Sequence, residues 1–146
     1  WRPGARLCLD WGRARIGVAA CDRDGVLAYP VATVPNDDEV MVAIRALITE
    51  YGPIEIVMGL PTDLRGDRAG VAARAMRKNA RRVNAETNLP VRLTPVTAAR
   101  RLASTGLDSR ARKPVIDQAA AVTILEQAID MEKRDGSAPG EVIDRA

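Results

Sequence analysis

Residues 54–60, IEIVMGL, constrain the fold more than any other stretch of the chain. The run is nearly continuous in apolar side chains, so it does not show the in–out alternation of a strand with one wet face. Strands that read this way lie inside parallel sheets covered by helices on both faces. A parallel neighbour needs a crossover connection, which sets the expected order of elements around this run. With 146 residues the chain is long enough to bury one such core as a single domain.

The flanking segments supply the rest of the sheet. Residues 6–10 and 14–21 read as two strands joined by a turn at Gly12, and a third strand is expected over 26–34 after the turn DRDG. Pro30 marks that third strand as an edge or a bulge. Asn36, Asp37 and Asp38 offer N-caps to a helix over 39–51, whose Val40, Ile44, Leu47, Ile48 and Tyr51 fall on one face. Gly52-Pro53 ends it. A helix is expected over 68–86, with Ala72, Ala75, Met76 and Val83 inward and its arginines outward. Leu89–Leu93 reads as a short strand and 97–104 as a short helix. Pro114 opens a last helix, 114–133, with Val115, Ala119, Val122, Leu125 and Ile129 inward. Residues 1–135 are thus expected to form one domain, and 136–146 a polar, mobile C-terminal tail.

Three strands followed by helix–strand–helix–strand–helix make an α/β fold, a mixed sheet with helices packed on it. This order matches a ribonuclease H-like sheet, although periodicity alone does not choose it over other α/β layouts.

The residues that carry chemistry are few. There is no histidine, which removes His-based triads and zinc–histidine sites. Cys8 and Cys21 lie in strand-like contexts and read as buried, reduced thiols. No apolar run approaches the roughly 20 residues of a membrane span, and a cytoplasmic protein is expected. What stands out is Asp10, at the end of the apolar strand LCLD, where open α/β sheets place ligands. An unpaired buried carboxylate costs several kcal/mol, so a cation at Asp10 or a solvated turn must answer for it. Asp117 is the second such acid, in the first turn of the apolar helix KPVIDQAAAVTIL. Its plainer explanation is the helix dipole, about 0.3–1 kcal/mol. Its sharper one is that Asp10 and Asp117 share Mg2+ or Mn2+. Hard cations take oxygen ligands, and two metals roughly 3.5–4 Å apart can activate a water against a phosphodiester.

Charge is uneven. Residues 65–113 hold thirteen Lys/Arg and three acids, a local net of +10, while the two flanks come out at −3 and −4. A basic middle on an acidic chain favours a polyanionic partner, against the alternative of a merely solvated helix face. Arg13, Arg15, Arg74, Arg77, Lys78 and Arg81 are the candidate phosphate contacts. With no Phe, two Tyr and two Trp, stacking platforms are scarce, and recognition through backbone and shape is expected.

LDWGRARIGVA, IEIVMGLPTDLRG and KPVIDQAAAVTILEQAI together resemble the RuvX/YqgF family over about residues 6–133. These are bacterial ribonuclease H-like proteins described as pre-16S rRNA nucleases and Holliday junction resolvase-like enzymes. The resemblance implies that Asp10 and Asp117 are catalytic, metal-holding carboxylates. It also implies that Gly12, Arg15 and Gly17 form the first-hairpin signature, and Gly59, Leu60 and Pro61 the loop beside the site. The chain departs from the family after Leu93, where an Asp-Glu-Arg motif is expected and VRLTPVTAARRL stands instead. A segment of about seven residues is expected to be absent between Val96 and Ala98, which places a third acid between Leu93 and Ala98 of the complete protein; the competing reading is a protein that truly lacks this acid. The connection at Pro35–Asp38 is also short for the family.

The reading is a magnesium- or manganese-dependent endonuclease on structured nucleic acid, processing the 5′ end of pre-16S rRNA. A non-catalytic RNA-binding assembly factor and a resolvase of branched DNA stay open beside it. Cutting two strands of a junction would require a symmetric homodimer. The D-x-G hairpin also begins sugar kinases and actin-like ATPases, but this chain is too short for their second domain.

Overall fold

The computed structural model describes residues 1–62, 65–96 and 113–144, with the backbone alone at 113–116. Among the described residues, six strands lie in one sheet, flanked by three helices. The order along the chain is β1 (Arg6–Trp11), β2 (Arg15–Cys21), β3 (Ala28–Pro35), α1 (Val40–Tyr51), β4 (Glu55–Pro61), α2 (Asp67–Thr87), β5 (Val91–Val96), α3 (Lys113–Asp135) and β6 (Glu141–Ile143). In space the strands run β3-β2-β1-β4-β5-β6. β1, β4 and β5 are parallel, whereas β2, β3 and β6 run antiparallel to their neighbours.

The apolar run in β4 sits between β1 and β5, and its two faces belong to two cores. Ile56 and Met58 join Leu7, Leu9, Ile16, Val18 and Leu93 under α1 and α2. Val57 joins Cys8, Ala19, Cys21 and Val96 under α3. Such two-sided burial explains why no alternation is visible in this strand. Both cysteines are buried and unbridged, and burial pushes both thiols up from their ordinary range.

Local signals account for most boundaries. Gly52, at φ 57°, closes α1 in the left-handed conformation, and its N–H donates to the Ile48 carbonyl at 2.8 Å. Pro30 lies on the outer strand β3, opposite Ala19, where the ladder shifts register after Val18. It therefore marks an edge and a bulge together.

Several expectations are corrected. α1 is capped by Glu39 with no side-chain bond; Asp37 instead accepts the Glu39 N–H at 2.9 Å. On α2 the buried residues are Ala80, Val83 and Asn84, while Ala75 is exposed. On α3 the buried stripe is Ala120, Ala121, Ile124, Leu125, Ala128 and Ile129, leaving Ala119 and Val122 half-buried. The helix is turned about one residue from the expected face, because alanines on two sides of it blur the periodicity. Within the segment expected as a polar tail, Glu141–Ile143 form β6, which pairs with β5. Three ties hold it: Arg77 to Glu141 at 2.8 Å, Arg92 to the Pro139 carbonyl at 3.3 Å, and Gly140 (φ 80°), packed so close to the Leu93 carbonyl that no side chain fits there. A three-residue strand is too short for its alternation to be read in the sequence. The helix expected at 97–104 and the Val96–Ala98 junction lie outside the described residues.

Candidate active site at the carboxyl ends of the central strands

Alternation along β1 puts Arg6, Cys8 and Asp10 on the face covered by α3. Cys8 packs in the α3 core, and Asp10, two residues on, is only 5% exposed at the strand's carboxyl end. Across the ladder Asp10 pairs with Gly17. The backbone of α3 rests directly on that glycine: a β-carbon there would overlap the Asp117 carbonyl. One residue type, glycine, thus lets the helix bring Asp117 down beside the strand that carries Asp10.

Two further contacts hold this first part of α3. Arg15 donates from Nε to Asp117 Oδ2 at 3.0 Å, and Gln118 donates from Nε2 to Thr33 Oγ1 at 3.0 Å. The Arg15–Asp117 pair is partly solvated, so its Coulomb energy is modest and its geometric effect the larger one.

A cleft of about 500 Å3 opens over the strand ends. Asp10, Gly59, Pro61, Val96 and Ile124 line it from the α3 side, and Trp11, Ala72, Met76 and Asn79 from the α2 side. Gly59 keeps the cleft floor low, since a β-carbon there would stand 3.1 Å from both Ile124 and Val96. Gly12 turns the hairpin: its N–H donates to the Arg15 carbonyl at 3.0 Å. Asn36 locks the same turn by donating to the Gly12 and Arg13 carbonyls at 3.0 and 3.2 Å.

Residues 4–131 match the profile of a family described as "RuvX: Holliday junction resolvase". The chain belongs to the RuvX family. Two relatives of this RuvX-family chain carry the name "Putative pre-16S rRNA nuclease". That of Streptomyces coelicolor is 45% identical over 150 positions, covering 98% of this chain and 90% of the relative. That of Streptomyces avermitilis is 47% identical over 152 positions, covering 98% and 96%. Both matched stretches exceed the 146 residues of this chain, so the relatives hold positions with no counterpart here. Among solved structures, Thermus thermophilus RuvC in complex with a Holliday junction superposes with a TM-score of 0.60 at 13% identity, over 94% of this chain and 99% of that one. This likeness places the RuvX-family sheet in the ribonuclease H-like fold.

The candidate phosphate contacts fall in different places. Arg13 lines the cleft and Arg15 holds Asp117. Arg74, Lys78 and Arg81 are exposed along one stripe of α2. At 100° per residue that stripe lies roughly opposite the side of α2, Ala72–Met76–Asn79, that walls the cleft. Arg77 is engaged by Glu141 and serves β6. Part of the basic excess is internal as well: Arg92 binds Glu55 at 3.1 Å. Trp11 and Asn36 are site residues that sequence reasoning passed over. Trp11 alternates away from Asp10 and reads as core, and Asn36 reads as a helix cap.

The donor set suits a hard cation in part. Asp10 stands at the end of β1 and Asp117 on α3 over Gly17 of the neighbouring strand. Asp117 is not among the residues that line the cleft, and among the described residues no group of three or more acids, Cys or His converges. Magnesium is commonly held by one or two carboxylates with water and substrate phosphate completing its shell, so Asp10 and Asp117 fit it.

The opposite end of the α3 face is charged too, but closed. Glu132 and Glu55, both buried, are shared by Arg2, Arg6 and Arg92 at 2.9–3.8 Å. Trp1 covers the Arg6 guanidinium with its ring centre 4.0 Å away. Burial pushes the Glu132 carboxyl up, but hydrogen bonds from the Arg2 side chain and N–H, with the nearby Arg6 charge, outweigh it and hold the group at about 2. Every charge here has a protein partner, so this end is structural.

Proposed function

We propose that this chain is a divalent-metal-dependent endonuclease acting on structured RNA, processing the 5′ end of pre-16S rRNA in ribosome biogenesis. The observation that carries the reading is the buried Asp10 carboxylate at the end of β1, facing the helix whose Asp117 rests on the neighbouring Gly17. Asp10 stands at the carboxyl end of its strand, where open α/β sheets place ligands, and it lines the cleft. The family assignment and the relatives' shared name support the same reaction.

In this reading Asp10 and Asp117 hold magnesium or manganese, which when bound supplies an activated water and charge for the leaving oxygen. Gly12 lets the hairpin beside that space close, since a β-carbon there would collide with the Arg15 carbonyl. Arg13 binds a phosphate at the cleft mouth, and Arg15 orients Asp117. Arg74, Lys78 and Arg81 take phosphates outside the cleft, which requires a substrate that bends around α2 or presents a second segment to it. Recognition is then of backbone and shape.

The third acid belongs to the segment expected between Leu93 and Ala98, and the greater length of the relatives' matched stretches supports its existence. The lack of a three-acid group among the described residues favours a second reading, a non-catalytic RNA-binding assembly factor. One experiment separates them: labelled pre-rRNA precursor and a four-way DNA junction are incubated with the protein, with and without magnesium. Magnesium-dependent cleavage of the precursor supports the nuclease. Binding without cleavage at any metal concentration supports the assembly factor. Cleavage of the junction alone makes it a resolvase, in which case sedimentation should show a homodimer.

A further inference from the structure

Trp11 and Asp10 are neighbours in sequence, and the pleat of β1 sends them to opposite faces of the sheet. Asp10 shares the α3 face, whereas Trp11 packs at the rim of the α1/α2 core. Yet both line the same cleft, because it passes over the carboxyl edge of the strands from one face to the other. A ligand that fills it therefore meets a carboxylate at one end and apolar side chains, an indole among them, at the other.

The two halves differ in chemistry. On the Asp10 side lie the carboxylate and the Gly12 turn, with Arg13 at the mouth. On the Trp11 side the indole, Met76 and Ala72 make an apolar wall, and Asn79, on the same helix as Met76, brings one amide able to donate to and accept from a base edge. The volume, about 500 Å3, lies within the range of sites that enclose a small ligand, roughly 300–1,000 Å3. A nucleotide fits this description, with phosphate by Asp10 and base against Trp11. A base pair inside a duplex does not, because its faces are stacked on its neighbours and offer nothing to an indole.

We infer that the Trp11–Met76 half of the cleft is a pocket for one unpaired nucleobase next to the scissile phosphate. Resting on the nuclease reading above, the inference narrows its substrate to a strand segment that is single-stranded, bulged or able to unstack at the cut. Trp11 is then a specificity residue that touches substrate, and the cut is placed by secondary structure rather than by base sequence.

The test uses the full chain with Asp10→Asn, so that substrate is bound but not cut. Short RNAs carry 2-aminopurine either in an unpaired segment or within a continuous duplex, and both anisotropy and 2-aminopurine fluorescence are read. The unpaired probe should bind more tightly than the duplex, and its fluorescence should be quenched on binding. Trp11→Ala should weaken the unpaired probe roughly 5- to 150-fold, the loss of one base–aromatic stack, and abolish the quench. Trp11→Phe should restore most of both, and duplex binding should stay within about twofold throughout. If Trp11→Ala does not fold, Trp11→Leu, which keeps an apolar contact without a π face, carries the same expectation. Equal binding of both probes with no quench overturns the base pocket while leaving the nuclease reading in place. Absence of binding to every RNA overturns both.

Discussion

Asp117 stands on Gly17: a β-carbon at Gly17 would come within 3.0 Å of the Asp117 Cβ and collide with its carbonyl. Gly17 is also the ladder partner of Asp10. One glycine on β2 thus sets the height of α3 over the sheet and, with it, the approach of the two carboxylates. Gly17→Ala should lift the start of α3. Overpacking of this kind costs about 1–3 kcal/mol, and misplacing a metal ligand by 1 Å costs on the order of 100-fold in rate. Urea unfolding and cleavage of labelled precursor read the two effects; wild-type cleavage in Gly17→Ala would show that the position of Asp117 does not matter.

Asp10→Asn should remove cleavage and leave nucleic-acid binding within about twofold, since in the proposed reading the change takes one metal ligand and leaves every candidate phosphate-binding side chain in place. Anisotropy and gel assays on the same preparation decide it. Full nuclease activity in Asp10→Asn would make Asp10 a turn residue, and Asp117 an acid with only a helix dipole and Arg15 to favour it.

The exposed stripe of α2 should act through charge. Replacing Arg74, Lys78 and Arg81 together with Ala should flatten the dependence of log K on log salt by roughly 0.9 for each duplex phosphate that the variant no longer neutralises. Arg77→Ala should change that slope little and should instead free Glu141, loosening β6, as hydrogen exchange at residues 141–143 would report. An unchanged slope in the triple variant would leave the stripe as a solvated helix face.

Acid should weaken the closed end of the α3 face. Glu132 is held at about 2, below the ordinary carboxylate range, so its contribution to stability is whole above about pH 4.5 and is lost as pH falls toward 2. Glu132→Gln should cost about 3–5 kcal/mol at neutral pH, because Arg2 and Arg6 then share Glu55 alone. The gap in urea midpoint between the variant and the wild type should narrow steadily below pH 4.5 and close only near pH 2. A constant gap down to pH 2.5 would show that Glu132 acts by packing rather than by charge.

The complete protein should contain an acidic residue between Leu93 and Ala98. Intact mass of the protein isolated from its own source measures this directly. A mass that leaves no room for extra residues in this region would remove the third acid and favour the binding-factor reading.

Much of the framework was legible in the sequence because it depends on neighbours in the chain. The unbroken apolar run of β4, the Gly52 stop of α1 and the carboxylate closing LCLD each state a local need for burial, backbone freedom or a charged partner. The same motifs carried the family and pointed to Asp10 and Asp117. Tertiary structure alone decided the rest. Arg15 meets Asp117 from 102 residues away, which no local pattern encodes. The strand at Glu141–Ile143 exists because Arg77, Arg92 and the close approach at Gly140 hold it to β5. The basic stripe of α2 turned away from the cleft because Ala80, Val83 and Asn84 are the residues that bury. Trp11 reached the same cleft as Asp10 because the cleft crosses the sheet edge. Periodicity fixes which residues share a face, but the docking angle of a helix and the register of a distant strand are settled by contacts between segments far apart in the chain, where side-chain volume and not sequence spacing chooses the fit.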